Sequence, residues 1–232
     1  LSKSSKPCLT RLQEKSYTLV KKAKGKIMEV SITCDAFIRL AKISSSNSEG
    51  YLRSIWLEVT EAGDVIAVAT NRKIAAVEKV GKSATGVVKM NVCVDEKLVE
   101  QCKTEIAFNS SITFVNNEAL KFISAKTSLG FVHSGNAGIY ATEENAFETW
   151  RDWFPDEIPT EPNGGIFSNL ENLALLASSS PTASVVFQEI IDNKKPVIVQ
   201  DIHEPAWLGL FMPRPDAQTR SPEPFSVPGW VK

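Results

Sequence analysis

Hydrophobic and polar positions along the chain repeat one pattern three times. In the first round a short β signal at Val30 precedes Phe37, Ile38, Leu40 and Ala41 on one helical face, which the polar run from Ser44 to Asn47 ends. Asp35 stands where an N-cap is expected. Ile55, Leu57 and Val59 then alternate with Ser54, Glu58 and Thr60, and Glu61-Ala62-Gly63-Asp64 reads as a hairpin turn. An apolar run from Val65 to Ala69 follows, Asn71-Arg72-Lys73 turns the chain again, and Ile74 to Val80 returns. The pattern predicts β-α-β-β-β.

The second round has Val92, Cys93 and Val94 as its β signal, Asp95 as candidate N-cap, and Leu98, Val99 and Cys102 as the helical stripe. Its strands are expected at Ile112 to Val115, Ala119 to Ala125 and Leu129 to His133, with Lys126-Thr127-Ser128 as a turn. The third begins at Ile166. Ser168 or Asn169 caps a helix carrying Leu170, Leu173, Leu176 and Ala177, and strands are expected at Ala183 to Ile190, Pro196 to Gln200 and Trp207 to Met212. One helix and one meander cannot close a core alone. Units are therefore expected to pack in pairs, helix beside helix against joined antiparallel sheets, in an α+β fold.

This reading divides the chain into a basic flexible arm (1–26), a two-unit domain (27–135), a linker (136–165), a third half-domain unit (166–214) and an irregular, proline-rich tail (215–232). The linker holds Trp150, Trp153 and Phe154. They suit a strap laid over the core or, alternatively, an aromatic platform for a ligand.

Composition narrows the class. Of 232 residues 43% are hydrophobic, enough for a substantial core. No apolar run approaches the roughly 20 residues of a bilayer span, and residues 1–26 lack the apolar middle of a signal peptide, so a cytoplasmic protein without membrane insertion is expected. Cys8, Cys34, Cys93 and Cys102 lack both C-x-x-C spacing and histidine neighbours, which argues against zinc or a disulfide framework. The net charge of -1 hides a basic arm, where Lys3, Lys6, Arg11, Lys15, Lys21, Lys22, Lys24 and Lys26 face only Glu14. Such an arm fits polyanion binding or a solvated terminus.

Catalytic signals are missing. His133 and His203 lie in different units with no nucleophile elbow, zinc-protease motif or phosphate loop beside them, and the aspartates fall mostly in turns or the linker. No enzyme activity, cofactor or metal is expected.

The repeated unit resembles the building block of DNA sliding clamps, and is most similar to the bacterial replicative polymerase clamp, the β subunit. The segments that carry the resemblance are Leu57 to Val59 leading into Val65 to Val77, the meander from Ile112 to His133, Trp153-Phe154-Pro155-Asp156, and the strand Trp207 to Arg214. It spans about residues 27–214, with three units where a clamp subunit has six.

The resemblance implies a processivity-type protein that binds or encircles DNA through phosphate contacts without sequence preference, tethers replication or repair proteins, or does both. It places DNA-facing cations at Arg39 and Lys42 on the first helix, Lys97 and Lys103 on the second, and Arg72 and Lys73 in a turn; the third helix has none. It places a partner-peptide groove at Leu210, Met212, Pro213 and Arg214. A unit without a mate leaves an edge and a helix face uncovered, so a homo-oligomer in which third units pair is expected. The alternative is a clamp-fold interaction regulator, from a phage or mobile element, that binds or mimics a host clamp without handling DNA.

Overall fold

The computed structural model describes residues 27–45, 50–117, 122–130, 132–136, 146–154, 170–187 and 196–212. β1 (Ile27–Thr33) alternates strictly, with Met28, Val30 and Ile32 inward, and runs into α1 (Cys34–Ser45). The N-cap of α1 is Thr33 and not Asp35: Thr33 Oγ1 accepts the Ala36 N–H at 3.1 Å, while Asp35 lies inside the first turn and pairs with Arg39. An acidic residue suits either position, because both face the positive end of the helix dipole. β2 (Ser54–Val59), β3 (Asp64–Thr70) and β4 (Ile74–Lys82) form the meander. Gly63, at φ +78°, closes the β2–β3 turn; a Cβ there would meet the Ser83 carbonyl oxygen at 2.8 Å.

Unit 2 repeats the order with β5 (Val88–Cys93), α2 (Glu96–Glu105), β6 (Ser111–Asn117), β7 (Phe122–Thr127) and β8 (Val132–Asn136). Asp95 caps α2, accepting the N–H groups of Lys97 and Leu98 at 2.9 and 3.4 Å. The β7–β8 turn falls at Ser128 to Gly130, later than expected, because Thr127 is buried and donates its hydroxyl to Glu105 of α2 at 2.8 Å. Leu129, apolar enough to read as strand, is exposed in that turn. Unit 3 supplies α3 (Leu170–Ser179), β9 (Val185–Phe187), β10 (Val197–Asp201) and β11 (Trp207–Phe211). The arm, the tail, and the leading strand and helix cap expected for unit 3 lie outside the described residues.

Units 1 and 2 exchange first strands. β5 pairs with β2 of unit 1 and β1 pairs with β6 of unit 2, all antiparallel, so each unit completes the other's sheet. The resulting sheets run β1-β6-β7-β8 and β5-β2-β3-β4-β11-β10-β9. The second is long because β11 of unit 3 pairs with β4 of unit 1, from Phe211 opposite Ile74 to Trp207 opposite Glu78. Helix α1 lies between α2 and α3, and one continuous apolar core joins both sheets to all three helices.

The opposite face of the long sheet has its own cover. A 3-10 helix (Ala146–Trp153) lays Phe147 and Trp150 over Trp56, Val68 and Val77, with the Phe147 ring parallel to Trp56 at 6.2 Å. Glu58 anchors it, accepting from Trp150 Nε1 at 3.2 Å and from both terminal nitrogens of Arg151 at 2.9 and 3.1 Å. The linker aromatics therefore act as a strap.

Candidate partner-binding groove

The seam where β4 meets β11 opens into a cavity of about 460 Å³, within the range of ligand-sized sites. Its position follows from one turn. Asn71 Oδ1 accepts the N–H groups of Lys73 and Ile74, each at 3.0 Å, and Thr70 Oγ1 accepts from Arg72 N–H at 3.1 Å while donating to the Ile74 carbonyl at 2.8 Å. Arg72 takes φ +70° to fit. Across the seam the Met212 N–H donates to the Lys73 carbonyl at 2.9 Å, so a strand end from unit 3 and a turn from unit 1 share one rim.

Buried Leu52, Ile74, Leu210 and Phe211, half-buried Trp153 and Pro196, and exposed Met212 give the cavity an apolar lining. Exposed Arg72, Lys73 and Asp152 add charge at the same place. An elongated apolar segment with an acidic group is the ligand type this chemistry accepts: apolar side chains gain from the lining, and the carboxylate from the two cations.

The residues expected to serve partner binding and DNA binding are distributed differently from their sequence grouping. Leu210 and Met212 line the groove, and Pro213 and Arg214 lie outside the described residues. Arg72 and Lys73, grouped with the helix cations, line the groove too. Arg39 is only 12% exposed; it pairs with Asp35 and reaches Glu78 of β4 at 2.6 Å. Burial raises the Glu78 carboxyl above its ordinary range against the pull of Arg39. Lys42 is exposed on α1 and donates to the Ser178 carbonyl of α3 at 2.8 Å, Lys97 is exposed on α2, and Lys103 pairs with Glu100 at 2.7 Å. Together α1, α2 and α3 hold four cations and the five carboxylates Asp35, Glu96, Glu100, Glu105 and Glu171. The helix layer is not a positive surface.

Sequence reading missed Leu52, Asp152 and Pro196 and offered Trp153 only as part of a strap or an aromatic ligand platform; these residues come from three separate segments. The pairing of β11 with β4, 129 to 137 residues apart along the chain, brings the unit 3 side of the lining against the unit 1 side. A usable signal was present in the Asn71-Arg72-Lys73 turn, whose Asx geometry fixes two cations at a strand end. Among the described residues no group of three or more His, Cys, Asp or Glu could hold a metal ion, and no helix is long and apolar enough to cross a membrane.

No family model and no curated protein matches the sequence. The structure does have counterparts. The DNA polymerase sliding clamp of Pseudomonas aeruginosa is 14% identical with a TM-score of 0.57, covering 83% of this chain and 67% of its own. The H. pylori β clamp, in a complex with diflunisal, is 12% identical at TM-score 0.60 over the same shares, and a putative DNA polymerase III β subunit from Eubacterium rectale is 9% identical at 0.56. At these identities the likeness is one of fold: this chain has the fold of the bacterial DNA sliding clamps.

Proposed function

We propose that the chain is a non-enzymatic, clamp-type tether that holds a partner protein by a short peptide in the groove between β4 and β11. The observation that carries this reading is the cavity itself, apolar inside and lined by Arg72 and Lys73 as well. An extended peptide with two bulky apolar side chains and an acidic residue fits it. The test is selection of displayed hexapeptides of that composition, followed by anisotropy titration of the best binder. Met212→Glu should weaken binding at least tenfold, because it puts a carboxylate where the peptide's own must sit. Failure to select any binder sensitive to Met212→Glu and to Arg72→Glu would refute the reading.

A second reading adds duplex DNA along the helix layer, which the fold and the exposed Lys42, Lys97 and Lys103 support. The balance of charge on those helices makes tethering the stronger of the two. Anisotropy with a random labelled duplex at low salt separates them: binding supports the second, and none at high protein concentration leaves an interaction protein of the regulator kind.

A further inference from the structure

One charge in the groove has no counterpart in an apolar and acidic peptide. Asp152 lines the cavity on the strap side, exposed, and among the described residues its carboxylate accepts no hydrogen bond and enters no ion pair. Lys73 lines it on the turn side, also exposed and also outside any ion pair among the described residues. Charges of opposite sign therefore stand apart on the groove wall and do not neutralise each other.

Both are held in place by the backbone around them. In a 3-10 helix residues three apart share a face, and Phe147, Trp150 and Trp153 all pack toward Trp56, Val68 and Val77. Asp152 falls off that face between two anchored neighbours. On one side Arg151 is forked onto buried Glu58 and lies over the Trp150 ring at 4.3 Å. On the other, Trp153 packs against Phe147 at 6.1 Å and itself lines the cavity. Lys73 is fixed as firmly, because its N–H donates to Asn71 Oδ1 and its carbonyl accepts from Met212 across the seam. A ligand meets two charges whose positions are set before it arrives, so little ordering is left to offset its binding.

A peptide lying in the groove takes both groups partly out of water. A carboxylate covered by an apolar side chain loses hydration with no return, and one covered by another carboxylate is repelled as well; a cation compensates it. Discrimination comes from the repulsive contact as much as from the attractive one. An acidic side chain is accepted beside Lys73 and rejected beside Asp152. We infer that the groove selects a bipolar peptide, with its acidic residue at the Arg72 and Lys73 turn, its apolar residues in the cavity, and a lysine or arginine at Asp152 of the strap. This rests on the tethering reading and adds to it the basic residue and the way round in which the peptide lies.

Selection of displayed heptapeptides, open at every position, on the full chain gives the test. Binders that Met212→Glu abolishes should carry a basic residue at one fixed spacing from the apolar pair, with the acidic residue on the other side of that pair. Anisotropy titrations then compare the best such peptide with versions holding alanine or glutamate in place of its basic residue. On the wild type the alanine version should bind ~3-fold more weakly, as for an exposed ion pair, and the glutamate version ~10-fold more weakly. On Asp152→Asn the basic and alanine versions should bind alike, and on Asp152→Lys the glutamate version should become the tightest. Asp152 bonds to nothing in the described fold, so both variants should keep the wild-type melting temperature and tryptophan fluorescence. Met212-dependent binders without a preferred basic position, or a ratio of basic to alanine affinities that Asp152→Asn leaves unchanged, would overturn this inference and leave the tether standing. Absence of any Met212-dependent binder would overturn both.

Discussion

Buried carboxylates show how the same residue type is put to opposite uses. Asp201 accepts from the Ser180 and Thr182 hydroxyls and from the N–H groups of Thr182, His203 and Glu204, tying the end of α3 to the β10–β11 turn. Burial works to raise its pKa, but these donors outweigh it and hold the carboxyl well below the usual range. Stability from Asp201 is then present above the unfolded value near pH 4 and is lost as the solution becomes more acidic. Asp201→Ala strands several donors at once and should cost about 3 kcal/mol in urea denaturation at pH 7. The gap between wild type and Asp201→Asn should narrow steadily below about pH 4. Glu58 behaves in the same direction: burial is overcome by Arg151 and Trp150, and its carboxyl lies below the ordinary value. At Glu78 burial prevails over Arg39, so that carboxyl sits above the ordinary value and folds more easily at mildly acidic pH.

Elements were legible in the sequence wherever one face is buried and the other is not. β1, whose residues alternate without exception, and α2, with a true aspartate cap, stand where the pattern places them. Leu129 and Asp35 have the right chemistry for a strand and a cap, but neighbouring positions won: a tertiary bond from Thr127 to Glu105 shifted the β7–β8 turn, and the local bond from the Ala36 N–H to Thr33 Oγ1 set the α1 cap. What no local pattern could give is the pairing of β11 with β4, and with it the groove. That pairing depends on close approach of α3 to β11 at Gly209, where a Cβ would stand 2.7 Å from Trp207 Cη2 and 2.9 Å from Leu176 Cδ1. Gly209→Ala should therefore push α3 outward and cost about 1–3 kcal/mol, measured by chemical denaturation, with peptide affinity falling as the seam shifts. The strap offers a contrast. Phe147→Ala empties a fully buried site against Trp56 and should cost about 3–5 kcal/mol, accompanied by a change in tryptophan fluorescence, yet α3 and β9 should be untouched.

At the scale of the molecule, the question is where a polyanion would find charge. The helix layer offers Lys42, Lys97 and Lys103 as exposed cations, and each works among carboxylates of the same three helices. The first 26 residues hold eight Lys and Arg against one Glu. Counterion release converts these numbers into a measurement, because the slope of log affinity against log salt is about −0.9 per neutralised phosphate. Binding by the helix layer alone should give a slope no steeper than about −3 per copy, and Lys97→Glu should flatten it by about one. Binding through the arm should approach about −7 and collapse when residues 1–26 are removed, with Lys97→Glu having little effect. The first result would make DNA a ligand of the helix layer. The second would make the folded body a protein-binding tether carried on a basic arm.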